Sequence, residues 1–102
     1  MKNLLLLGSL LLSMSIVAQT IEDAEFLFED RGEDLANAVE SAEIYGQLAA
    51  ESTDKGEKAN LLYRQSEAIY YVGTQAQTKD EQEKIHNNGV LISEASIALL
   101  EG

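Results

Sequence analysis

Three stretches of this chain repeat apolar and small residues at steps of three and four, and no proline interrupts any of them. That rhythm keeps one side chain set on one face of an α-helix. The first stretch runs from Glu33 to Glu51, where Leu35, Ala38, Val39, Ala42, Tyr45 and Ala49 share a face. Gly32 suits a break just before it, and Glu33-Asp34 places negative charge at the positive end of the helix. The second runs from Lys55 to Gly73, behind the N-cap candidate Asp54 with Glu57 at capping-box spacing. The third runs from Asp80 to Leu100, opened by the capping box Thr78–Glu81. "AEFLFEDR" upstream predicts a shorter helix ending at Gly32, and "TQAQTKDE" predicts the loop between the second and third. The expected fold class is therefore all-α.

The second stretch is broad on a helical wheel. Leu61, Leu62, Gln65, Ser66, Ala68, Ile69, Val72 and Gly73 take one half, which predicts neighbours on two sides. Asn60, Tyr63, Arg64, Glu67, Tyr70 and Tyr71 take the other. In the third stretch, "EKIHNNGVLISEA" carries two opposing signals. Asn88-Gly89 between apolar residues is a hairpin-turn dipeptide. Its lead-in "KDEQEKIH" is charged and helix-favouring, and Ile85, Gly89, Ile92, Ser96 and Leu99 form a stripe. The Asn-Asn-Gly run costs about 1–2 kcal/mol of helix propensity, which a capped helix with a tertiary contact can absorb. Helix is the expectation here, with Gly89 admitting a close neighbour.

Residues 1–18 have the form of a secretory signal: Lys2, an apolar run from Leu4 to Leu12, and small residues before a cut at Ala18/Gln19. Gly8, Ser9, Ser13 and Ser15 interrupt that run, which is short for a membrane span. Cleavage takes Lys2 away, moves the net charge from −11 to −12, and leaves a domain of residues 19–102 with no stable membrane anchor. Export without cysteine fits a periplasmic or secreted location. The acidic balance opposes binding to nucleic acid and favours a cationic partner.

Catalytic signals are missing. His86 is the single histidine and has no nucleophile motif near it, so an ordinary surface or half-buried role is expected. Zinc-ligand, calcium-loop and phosphate-loop patterns are absent from the sequence, so no cofactor or metal is expected. The acidic pairs Glu29-Asp30, Glu33-Asp34 and Asp80-Glu81 read as charges at helix N-termini.

"LLYRQSEAIYYVG" followed by "GVLISEASIALLEG" resembles a tetratricopeptide-type helical hairpin. Ser66, Ala68, Ile69 and Gly73 match the first helix of that pattern, and Gly89, Ser96, Ile97 and Leu99 match the second. "RGEDLANAVESAEIYGQLAAES" is similar to the second helix of a preceding repeat. The resemblance implies antiparallel hairpins amounting to about one and a half repeats, joined by a connection longer than the compact repeat has. It implies Ser66, Ala68, Gly89 and Ser96 as helix-packing residues. It also implies Asn60, Tyr63, Glu67 and Tyr70 as a partner-binding row along a groove. Too few repeats to be stable alone imply a fragment of a longer array or self-association. The function implied is a non-catalytic module that binds a peptide or protein in the cell envelope. The alternative is a transport accessory that handles a small ligand with a solute-binding protein, as the similar periplasmic T components of TRAP transporters suggest.

Overall fold

The computed structural model describes residues 19–101, so the expected leader at 1–18 lies outside the described residues. Among the described residues there are four α-helices and no strand: α1 (Ile21–Glu29), α2 (Leu35–Glu51), α3 (Lys55–Thr74) and α4 (Lys79–Glu101). The stretch 83–95 is continuous helix within α4, so Asn88-Gly89 makes no turn.

Local chemistry sets the helix starts. Thr20 caps α1 through a reciprocal capping box with Asp23, at 3.2 and 2.9 Å. Asp34 is the cap of α2 and accepts from the Ala36 amide at 3.0 Å, so α2 begins at Leu35, two residues later than expected from Glu33. Asp54 accepts from the Glu57 amide at 2.8 Å, while the Glu57 carboxylate accepts from the Ser52 hydroxyl at 2.8 Å. Thr78 accepts from the Glu81 amide at 3.1 Å. Each cap satisfies an amide that the first turn leaves free.

Each helix packs on the next in chain order, and α3 lies centrally. The two-sided arc predicted for α3 is buried or half-buried along its length, from Leu61 to Gly73. The core is built on Ile44, Tyr45 and Leu61 with Ala24 and Ala49, flanked by Ile21, Leu27, Leu48 and Leu62. Ala38, Ala42, Ala59 and Ala68 are also buried, and such small side chains let helix backbones come close. Two serine hydroxyls tie neighbouring helices together. Ser41 of α2 donates to the Ala24 carbonyl at 2.9 Å, and Ser96 of α4 donates to the Ala59 carbonyl at 2.6 Å.

Three expectations need correction. Leu35 and Val39 are exposed, although they share the spacing of the buried Ala38, Ala42, Tyr45 and Ala49. The buried arc of α2 is rotated towards Ser41 and Ile44, because Ile44 and Tyr45 pack into the core with Ala24 of α1, where the Ser41 hydroxyl also bonds. The connection between α3 and α4 is Gln75–Thr78 alone, because α3 runs on to Thr74 and α4 starts at Lys79. Glu29 and Asp30 stand at the C-terminal end of α1, not at a helix N-terminus as expected, because the chain turns at Asp30 before α2 begins.

Candidate functional site: an aromatic groove over the central helix

The polar half of α3 is not uniformly open. Arg64 reaches across to α1 and pairs with Glu25 at 3.1 Å, and the side chains of both remain about two-fifths exposed, at 39% and 42%. Burial of the Tyr45 ring raises its hydroxyl pKa above the ordinary tyrosine value, while Arg64 beside it pulls the other way. Arg64 is in turn raised by its hydrogen bond to Tyr45. Residue 64 therefore serves the joint between α1, α2 and α3.

Further along α3 a groove of about 760 Å³ opens, with α3 as its floor, the end of α1 as one wall and α4 as the other. Glu67, Tyr70 and Tyr71 lie on the floor, Phe28 and Arg31 on the first wall, and His86, Val90 and Ser93 on the second. The Arg31 guanidinium lies 4.2 Å from the centre of the Phe28 ring and 5.1 Å from that of Tyr71. It also donates to the Phe28 carbonyl at 2.9 Å, so it is a fixed cation between two aromatic faces.

On the opposite wall, His86 stacks on Tyr70 with ring centroids 4.9 Å apart and planes 12° from parallel. Its Nε2 is buried and has no hydrogen-bond partner. That ring edge occupies the notch left by Gly73: a Cβ at position 73 would stand 2.6 Å from Nε2 and closer still to Cδ2. A glycine in α3 and a ring from α4 thus fix the angle at which the wall meets the floor.

The four residues expected to bind a partner fall along one row. Asn60, Tyr63, Glu67 and Tyr70 are all exposed, with Tyr63 at 52% and Tyr70 at 62%. Glu67 and Tyr70 line the groove, whereas Asn60 and Tyr63 lie outside its lining, earlier along the same helix face. Ser66, Ala68, Gly89 and Ser96 are buried between or beneath the helices. A Cβ at Gly89 would lie 3.4 Å from Ile69 Cγ2 and 3.8 Å from the Ser66 carbonyl oxygen, in ordinary contact.

The sequence did not place Phe28, Arg31 or His86 at a groove, although His86 is half-buried as expected. Arg31 and Phe28 reach the groove through the packing of α1 beside α3, for which the local sequence holds no signal. His86 carried one: it starts a second stripe on α4, adjacent to the packed one. Among the described residues no three His, Asp or Glu side chains gather as metal ligands would. Nor is any described helix long and apolar enough to cross a membrane. Comparison of the chain with protein-family models, with curated proteins and with solved structures found no match.

Proposed function

We propose that this chain is an exported, non-catalytic interaction module of tetratricopeptide-like construction, binding a peptide or protein partner in the cell envelope. The observation that carries the reading is the row Tyr63–Glu67–Tyr70, exposed along the central helix and continuous with an aromatic groove. Exposed tyrosines offer large contact area with a hydrogen-bonding tip, as protein-binding surfaces do. Consecutive antiparallel helix pairs with small residues at their contacts support the repeat-like construction. The leader-like residues 1–18 support export, and the net charge of −11 supports a cationic partner.

The test is co-purification from the envelope of cells expressing the full chain, with and without Tyr63→Ala/Tyr70→Ala. A specific partner should be retained by the parent and lost by the variant. Retention by both would refute the groove as the binding face.

A groove of about 760 Å³ is also within the size of small-molecule sites, and Arg31 would orient an anionic group in it. This favours, as a second reading, the transport accessory that handles a small ligand. Saturable binding of a small carboxylate that is lost in Arg31→Gln, with no protein partner recovered, would select it.

A further inference from the structure

Helix α4 carries two heptad-type stripes side by side. Ile85, Gly89, Ile92, Ser96 and Leu99 recur at steps of four, three, four and three. All five are buried or half-buried, and Gly89 and Ser96 meet α3 directly. His86, Val90, Ser93, Ile97 and Leu100 repeat the same steps one position later. His86 at its head packs on α3, and beyond it the apolar positions of this second stripe stand open among the described residues: Val90 is 54% exposed, Ile97 53% and Leu100 68%. Its first three residues line the groove, so stripe and groove form one surface with the exposed Tyr63 and Tyr70 beside it. From His86 to Leu100 the stripe spans about 21 Å at 1.5 Å per residue.

Charge decides what fits. Glu83, Glu94 and Glu101 follow the outer edge of the stripe by helical geometry, and Glu67 lies on the groove floor. From Ile85 to Glu101 the helix has no lysine or arginine. Lys84, just before, lines a hollow on the far side of α3, with Val39 and Ile69. A second copy of this chain would bring the same acidic edges to the seam and set two strongly negative chains against each other.

We infer that the second stripe of α4, with the adjoining groove, is the seat for an amphipathic helix of a partner protein, apolar along one seam and basic on its flanks. The inference rests on the reading of this face as a binding surface and names its partner class. A helix laid in the seat covers Val90, Ile97 and Leu100 with its apolar seam. Its lysines or arginines face Glu94, Glu101 and Glu67. At the His86 end, Arg31 in the groove and Lys79, one heptad before His86 on the same helix, refuse a basic side chain.

Three synthetic peptides, each about three heptads long, test this on protein purified from cells expressing the full chain. One has leucine at the seam and lysine on the flanks, one has leucine and glutamate, and one has glutamine and lysine. The leucine–lysine peptide should bind saturably, and the other two should not. Ile97→Asn/Leu100→Asn should weaken that binding by roughly tenfold or more. Both residues are more than half exposed, so the variant should stay folded, its melt lowered by only the few degrees that helix propensity and partial burial account for.

Equal binding of the glutamine–lysine peptide, or binding indifferent to Ile97 and Leu100, would overturn the inference. So would a dimer in sedimentation that dissociates in the Ile97→Asn/Leu100→Asn variant, since a second copy would then be the occupant. If the leucine–lysine peptide fails while Tyr63→Ala/Tyr70→Ala still abolishes envelope co-purification, this inference falls and the binding-face reading stands. If the peptide binds through Ile97 and Leu100 but the tyrosine variant keeps its partner, the tyrosine row falls and the seat stands.

Discussion

Replacing Gly73 by alanine sets helix propensity against packing at one position. Alanine in a helix interior is favoured over glycine by about 1 kcal/mol. At position 73 the new Cβ would stand 2.6 Å from His86 Nε2 and 3.3 Å from Ile85 Cγ2. The imidazole has to leave its notch, which forfeits the stack on Tyr70, worth about 0.5–1.5 kcal/mol. Admitting a methyl to a filled site costs about 1–3 kcal/mol in all, that stack included. The net expectation, after the propensity gain, is a destabilisation of up to about 2 kcal/mol. Gly89→Ala makes the same chemical change on the facing helix, where the Cβ finds ordinary contact with Ile69. It should stabilise by about 0.5–1 kcal/mol.

Urea unfolding followed by far-ultraviolet circular dichroism reads both. The cause is isolated by repeating Gly73→Ala in a His86→Ala background, where the notch is empty. There it should stabilise, as Gly89→Ala does, giving a coupling of about 1–3 kcal/mol between positions 73 and 86. A Gly73→Ala variant as stable as Gly89→Ala, or one whose effect is the same with and without His86, would refute the packing argument.

Tyr45 gives a pH prediction. Its folded pKa is raised by burial, so between the unfolded value of about 10 and the folded one the native state alone keeps the proton. Its contribution is complete below pH about 10 and is lost as pH rises further. Denaturation midpoints of the parent should therefore fall more steeply than those of Tyr45→Phe above that pH, and parallel curves would contradict it. Ser96→Ala and Ser41→Ala each leave a buried carbonyl without its hydroxyl donor and should cost about 1–2 kcal/mol in the same assay. Glu25→Gln breaks an ion pair whose side chains are both about two-fifths exposed, and should change stability by about 0.5 kcal/mol or less. A loss several times larger would mean that α1 depends on that pair.

Much of the helical frame was legible because its signals are local. Asp54 and Thr78 announce α3 and α4 through capping chemistry, and the broad apolar arc of α3 foretells two flanking helices. The reversal of the Asn88-Gly89 signal was legible too, since the charged lead-in has the wrong periodicity for a strand. What was hidden depends on contacts far apart in sequence. Spacing alone puts Leu35 and Val39 with Ala38 and Ala42. The packing of Ile44 and Tyr45 against Ala24, with the Ser41 hydroxyl bonded there, turns that face outward instead. The row Asn60–Tyr63–Glu67–Tyr70 could be drawn from the wheel. The wall opposite it could not, because Arg31 meets Tyr71 only through the packing of α1 beside α3. The second stripe of α4 was written in the sequence next to the first. Which of the two α3 covers is settled by Gly89 and Ser96, the small residues that let it approach.

The central claim is that a partner docks on the face shared by α3 and α4. Site-specific photo-crosslinking in the envelope tests it most directly, with a photoreactive residue placed in turn at Tyr63, Ile97 and Gln47. All three positions are exposed, and Gln47 lies on α2, away from the groove. A discrete adduct of one size from positions 63 and 97, and none from 47, is the expected result. Adducts from 47 alone, or equally from all three, would contradict it.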